Sequence, residues 1–206
     1  MTQLVTVVDL DMGNIGAIPN MLRRLGVRAV VTADPAVIGE AERIVLPGVG
    51  SFDTAMDGLA RPGIRDTLEA RVRGDGIPLL GICLGMEILG ESSEEGTSTG
   101  LGWVPGHVVR FRLDPDKGDP SVPHMGWNEV ASARANPLVH ADEDVRFYFA
   151  QSFHFEATEA ADVIGWTTWG YRYASAIQRD NVLGVQFHPE KSHRFGLELL
   201  RRFVAL

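Results

Sequence analysis

Along the first half of the chain, short apolar runs alternate with stretches whose apolar residues recur every three or four positions. Leu4 to Val8 is apolar and valine-rich, the pattern of a strand buried on both faces. A polar turn over Asp9 to Gly16 follows. Ile18, Met21, Leu22 and Leu25 then recur at helical spacing, with Gly26 placed to end the helix. Val27 to Val31 and Arg43 to Leu46 predict a second and a third strand. Pro62 predicts a helix start, running to about Arg73, where Gly74 and Gly76 stop it. Pro78 to Ile82 predicts a fourth buried strand, with Met86, Ile88 and Leu89 on a helix directly after it. Such alternation predicts parallel strands joined by right-handed crossovers. The fold class is therefore α/β, a doubly wound, mostly parallel sheet flanked by helices.

After Glu91 the period shortens to two. Val104 to Leu113 alternates, with Val109, Phe111 and Leu113 on one face and Arg110 and Arg112 on the other, the mark of a half-exposed strand. Asp114 to Pro123 reads as a loop. Further strands are predicted at Arg146 to Ala150, Phe153 to Ala157, Val163 to Thr168, Ala174 to Gln178 and Val182 to Phe187. Arg194 to Ala205 carries Phe195, Leu199 and Phe203 at i, i+4 and i+8, an amphipathic helix. No repeat, low-complexity tract or linker interrupts the chain. One domain over residues 1–206, with a β-rich second half, is expected.

Composition narrows the class. With 206 residues, 45% hydrophobic and 22% charged, the chain can build a full core without metals or staples. Lys plus Arg number 19 against 27 for Asp plus Glu, a net charge of −8. That balance argues against nucleic acid or an anionic membrane surface as partner. A single cysteine cannot form an internal disulfide. Met1 to Leu10 has no basic n-region and carries Asp9 behind its apolar run, unlike a signal peptide. No stretch approaches the ~20 apolar residues of a membrane span. A soluble, cytoplasmic protein is expected.

The one cysteine carries the main chemical signal. Cys83 lies between a predicted strand and a predicted helix, with Gly81 two residues before it and Gly85 two after. This is the nucleophile-elbow pattern with Cys in place of Ser. The turn is too tight for flanking side chains, and it pushes the nucleophile out at the C-terminal edge of the sheet. Free N–H groups of the helix starting at Gly85 are expected to face the sulfur and lower the thiol pKa. A lone cysteine is more often buried and inert, but the paired glycines in a strand–turn–helix setting reverse that weighting.

A thiolate needs a proton carrier. His188 ends the apolar run Val185-Gln186-Phe187 and is followed by Pro189-Glu190. On an extended chain, residues two apart project to the same side, so Glu190 is placed to orient the His188 imidazole. His107, His140, His154 and His193 lack such context and read as structural or solvated. A third element is the glycine-rich segment Leu46-Pro47-Gly48-Val49-Gly50-Ser51-Phe52 after the third strand, at the sheet edge that carries Cys83. Its amides, with the Leu84 N–H, are a candidate oxyanion hole. It is not a phosphate loop, since no Lys-Ser/Thr follows the second glycine.

Together these pieces resemble a class I (triad-type) glutamine amidotransferase. Gly81-Ile82-Cys83-Leu84-Gly85 resembles the family's nucleophile motif, and His188-Pro189-Glu190 its paired His and Glu. The 46–52 segment, Pro123-His124-Met125-Gly126-Trp127-Asn128 and Gly184 to Ser192 are similar to the glutaminase subunits that serve a separate (β/α)8 synthase, or cyclase, of histidine biosynthesis. The resemblance covers essentially the whole chain. It implies that glutamine is the substrate and that Cys83, His188 and Glu190 are catalytic. It further implies a heterodimer in which ammonia is channelled to a partner making imidazole glycerol phosphate and aminoimidazole carboxamide ribotide. Gly48, Val49, Gly50 and Leu84 would serve the oxyanion, and Glu87, Ser152 and Phe153 would surround glutamine. Met125, Trp127, Asn128 and Lys191 would face the partner and gate ammonia. No metal or cofactor is implied.

Two departures stand out. The family usually has Gln where this chain has Glu87, and often His-Ser-Tyr where it has Gln151-Ser152-Phe153. Ser92-Ser93-Glu94-Glu95-Gly96 with Gly102-Trp103, and Lys191 to Gly196, are also similar to glutaminase subunits whose partners place an amidine on a surface-polysaccharide sugar. A non-catalytic subunit on the same fold is a further alternative, against which the intact Cys83, His188 and Glu190 argue. A cysteine peptidase is another, but nothing suggests a peptide groove.

Overall fold

A computed structural model describes residues 4–11, 15–140 and 145–206. Residues 12–14 of the predicted polar turn lie outside the described residues, as do residues 1–3 of the segment read for a signal peptide. The elements in chain order are β1 (Leu4–Val8), α1 (Ala17–Arg24), β2 (Arg28–Thr32), α2 (Pro35–Gly39), β3 (Ile44–Gly48), α3 (Phe52–Leu59), α4 (Ile64–Leu68), β4 (Leu79–Cys83) and α5 (Leu84–Glu87). There follow β5 (Ser92–Ser93), β6 (Gly106–Arg110), β7 (His124–Glu129), β8 (Ala131–Ser132), β9 (Arg146–Gln151), β10 (Phe153–Ala157), β11 (Val163–Trp169), β12 (Tyr171–Arg179), β13 (Val182–Val185) and α6 (His193–Val204).

One sheet runs β2-β1-β3-β4-β13-β12-β10-β6-β5, with β11 against β12 and β8 against β11. From β2 to β13 every pairing is parallel; from β13 through β12 and β10 to β6 the pairings are antiparallel. The doubly wound expectation holds for the first part, because helices cover both faces. Through Ile38, Phe52, Leu59, Ile64 and Leu68, α2, α3 and α4 pack on one side. Through Ile18, Leu22, Leu199, Leu200 and Phe203, α1 and α6 pack on the other. Val5, Val7 and Val8 are accordingly all buried. Each large side chain so buried contributes roughly 1.5–3 kcal/mol. Among the described residues, no helix is long and apolar enough to cross a membrane.

The sequence reading needs several corrections. The helix expected from Pro62 starts at Ile64, because Gly63 takes a left-handed φ of 80° at its N-cap, and it continues from Glu69 to Gly74 as π-helical turns. Along β6 the fully buried side chain is Val108, while Val109, expected on the core face, is half-buried. That strand stops at Arg110, where the Phe111 N–H turns to the Ser152 carbonyl. The terminal strand ends at Val185 rather than Phe187. The elements not anticipated are α2, α3, β7 and the two-residue strands β5 and β8; β7 pairs with the anticipated β9, His124 against Gln151 and Glu129 against Arg146. With only five residues, α2 is too short to show a period, although Asp34 caps it by accepting from the Ala36 N–H. For α3 the signal was present. Ser51 caps it, and Phe52, Ala55, Met56 and Leu59 fall at helical spacing on its buried face.

Candidate active site

The central pair β3 and β4 sets the site. Gly48 and Cys83 are register partners at their ends, so the loop after β3 and the turn after β4 emerge side by side. Cys83 sits at φ 54°, ψ −114°, a left-handed backbone that a side chain adopts only at a cost of about 1–3 kcal/mol. The flanking glycines make the turn possible. A Cβ on Gly81 would stand 2.4 Å from the Gly85 carbonyl oxygen, and one on Gly85 would stand 1.7 Å from that of Leu46. The elbow read from the sequence is therefore present, and Cys83 projects into a cavity of about 340 Å³.

The same cavity is lined by Val49, Gly50, Leu84, Glu87, Met125, Ser152, Phe153, His188 and Lys191, all singled out from the sequence. His188 follows β13, the other parallel neighbour of β4. Its Nδ1 lies 2.7 Å from Glu190 Oε1. The pairing is not made by an extended chain, as the sequence reading assumed: Pro189–Lys191 is a 3-10 turn, with Pro in the first-turn position it favours. The His188 backbone is fixed by its N–H to the Tyr148 carbonyl at 2.8 Å, and by its own carbonyl, which accepts from Ser192 Oγ at 2.6 Å. With Nδ1 committed to Glu190, Nε2 is the nitrogen left to exchange a proton.

One expectation is overturned. The Cys83 thiol is pushed up, not down. Burial is the main cause and the nearby Glu87 carboxylate adds to it, while the Leu84 N–H opposes them. With four residues, α5 is too short to offer the field of a helix end, and burial outweighs its single amide. The Cys83 thiol therefore rests neutral. Glu87 is itself buried and pushed up to about 7 by that burial, its Oε1 accepting from Gln186 Nε2 at 2.7 Å and Glu95 raising it further.

Not every expected residue enters the cavity. Gly48 is the last residue of β3, at its edge. Trp127 is exposed on β7 and stacks on His193 at 5.7 Å. The side chain of Asn128 is turned to the sheet, donating to the Thr168 carbonyl at 2.9 Å. Met125 is 59% exposed at the mouth. Glu95, Pro123, Ala150 and Gln151 also line the cavity. Glu95 enters the sequence reading only within Ser92 to Gly96, the stretch similar to the sugar-amidinating subgroup. Gln186 was legible as a lone polar residue within an apolar run. Behind the cavity wall, the Tyr173 hydroxyl meets Gln151 Nε2 at 3.0 Å and His124 Nδ1 at 2.9 Å. Nothing in the sequence marks that contact.

Residues 6–206 match the family model described as glutamine amidotransferase class-I. "Imidazole glycerol phosphate synthase subunit HisH" of Leptospira interrogans is 44% identical over 204 residues, covering 98% of this chain and 100% of the relative. The protein of the same name in Bdellovibrio bacteriovorus is 44% identical over 201 residues, 97% of this chain and 98% of its own. Among solved structures, a glutamine amidotransferase superposes with a TM-score of 0.75 at 19% identity, covering 98% of this chain and 99% of that one. PurLQS from Thermotoga maritima superposes with a TM-score of 0.71 at 17% identity, covering 100% and 99%. At those identities the solved structures speak for the fold alone.

Proposed function

From the premise that this chain belongs to the class I glutamine amidotransferase family, we propose that it is the glutaminase subunit of an imidazole glycerol phosphate synthase. It acts as one domain over residues 1–206 and passes ammonia to a (β/α)8 cyclase subunit in histidine biosynthesis. The observation that carries the chemistry is the elbow cysteine sharing one cavity with a histidine whose far nitrogen is held by Glu190. The relatives' names, which speak of a subunit of imidazole glycerol phosphate synthase, support the choice of synthase and the need for a partner.

Because the thiol rests protonated, His188 must act first. Its Nε2 takes the Cys83 proton as Sγ attacks the carbonyl carbon of the glutamine side-chain amide. Glu190 keeps Nδ1 protonated and stabilises the imidazolium formed. The tetrahedral oxyanion is received by N–H groups of Val49 or Gly50 and of Leu84. Imidazolium then gives its proton to the departing nitrogen, ammonia leaves, and a thioester remains. Water, deprotonated by His188, releases glutamate and restores the thiol. Glu87 and Glu95 supply negative charge for the α-ammonium, and Ser152 and Phe153 frame the amino-acid backbone. Met125, Trp127 and Lys191 face the partner, while Asn128, its side chain held to the Thr168 carbonyl, supports that strand from the other side.

The test is Cys83→Ala assayed with the cyclase subunit. Glutamine-dependent synthesis should vanish while synthesis from supplied ammonium chloride continues. His188→Ala should lose nearly as much, and Glu190→Gln less, since Glu190 acts through the histidine. Glutamate formation by Cys83→Ala at the wild-type rate would remove the assignment.

A further inference from the structure

We infer that Asp53, outside the cavity, is a positioning residue that fastens the Glu95 loop to the start of α3 and so sets affinity for glutamine. The inference rests on the glutaminase reading above and adds to it how the α-ammonium site is held in place.

Glu95 reaches the cavity from a segment that belongs to no helix or strand. On one side that segment is tied to β6, the Glu94 N–H donating to the Val108 carbonyl at 2.8 Å. On the other side the tie is Asp53. Its Oδ1 accepts from the N–H groups of Thr97 at 3.0 Å and Ser98 at 2.9 Å, and its Oδ2 from Thr97 Oγ1 at 3.5 Å. The approach is so close that a Cβ on Gly96 would stand 2.2 Å from Asp53 Oδ1. The carboxyl of Asp53 lies below its usual range because these donors favour the anion, the Ser98 N–H most of all.

The neighbouring residue completes the clamp. The Phe52 N–H donates to Glu95 Oε2 at 2.8 Å, which commits one carboxylate oxygen and aims the group. Phe52 and Asp53 are the first two residues of α3, and α3 begins where the 48–51 loop ends. One helix start therefore anchors both the carboxylate for the substrate's ammonium and the loop that supplies oxyanion donors. Releasing the Asp53 side frees the Glu95 backbone while leaving Cys83, His188 and the elbow untouched.

The experiment is titration calorimetry of L-glutamine into the full chain carrying Cys83→Ser, with and without Asp53→Ala. Asp53→Ala should raise Kd about tenfold, the loss expected when one charge-assisted contact is no longer held in place. Asp53→Asn, whose Oδ1 still accepts both N–H groups, should recover most of that loss. In a Glu95→Ala background, Asp53→Ala should add less than twofold, because the two residues act as one. If Asp53→Ala does not fold, Gly96→Ala, whose Cβ displaces the Asp53 carboxylate, must weaken binding likewise. An unchanged Kd with a lowered melting temperature, or losses that multiply in the double variant, overturns the inference and leaves the glutaminase reading intact. Failure of the Cys83→Ser chain to bind L-glutamine at all overturns both.

Discussion

Replacing Glu87 by Gln should make stability much less sensitive to pH. The Glu87 carboxyl is 5% exposed, and burial pushes it from 4.5 up to about 7. On rising pH the unfolded chain therefore releases this proton near 4.5, while the folded chain holds it to about 7. Between those values the unfolded state binds fewer protons, so folding loses stability as pH rises, and the whole loss is present above about 7. At 1.36 kcal/mol per pH unit the difference amounts to about 3 kcal/mol. The amide of Glu87→Gln is uncharged and nearly isosteric, and its oxygen can still accept from Gln186 Nε2. The variant should exceed the parent by less than about 1 kcal/mol at pH 5 and by up to about 3 kcal/mol at pH 8. In a chain of this length that is roughly 6–12 °C in Tm. The assay is thermal or urea unfolding of both proteins at half-unit steps from pH 5 to 8. Other titrating groups act equally on the two chains, so the difference between the curves isolates position 87. Parallel curves would falsify the reasoning.

Further outcomes follow from single contacts. Since burial holds the Cys83 thiol up, iodoacetamide should alkylate it more slowly than a free thiol at pH 7.5, with the rate still climbing at pH 9; mass spectrometry reads this directly, and fast alkylation at pH 6 would contradict it. Gly85→Ala sets a methyl 1.7 Å from the Leu46 carbonyl oxygen, so a loss of about 3 kcal/mol or more is expected, seen as a large fall in the urea midpoint. Tyr173→Phe strips a shared hydroxyl from buried His124 and from Gln151. It should cost about 1–3 kcal/mol by denaturant titration and raise the KM for glutamine, because Gln151 lines the cavity.

Much of the site was legible because its demands are local. Gly81 is forced by the Gly85 carbonyl and Gly85 by the Leu46 carbonyl of the adjoining strand, yet both glycines stand within two residues of Cys83 and show in the sequence. The central strands announce themselves by having no polar face. What stayed hidden depends on tertiary surroundings. The thiol's direction of shift turns on how deeply β4 is covered, which spacing cannot reveal. The strand β7 escaped notice because its inward position is a histidine, His124, stacked between Phe149 at 4.5 Å and Trp169 at 4.1 Å. The His188–Glu190 pair was found on an assumption of extended chain, yet a 3-10 turn brings the groups together. Asp53 carries no signal of its own in the sequence. Its role exists only because residues forty-odd positions later return to it.

The place of β13 bears on how the molecule comes into being during synthesis. It is the seam at which the parallel and antiparallel parts of the sheet meet, hydrogen-bonded to β4 on one side and β12 on the other. Its pairing of Val185 with Ile82 closes a loop of about one hundred residues, a contact whose entropic cost delays it. Until it inserts, β4 keeps an open edge of backbone amides and carbonyls, the kind of surface that invites mispairing with another nascent chain. Cys83 then has no base beside it, since His188 follows that strand. On the proposed mechanism, a ribosome-bound or half-folded molecule thus carries its thiol without the means to ionise it, and glutamine hydrolysis awaits completion of the sheet.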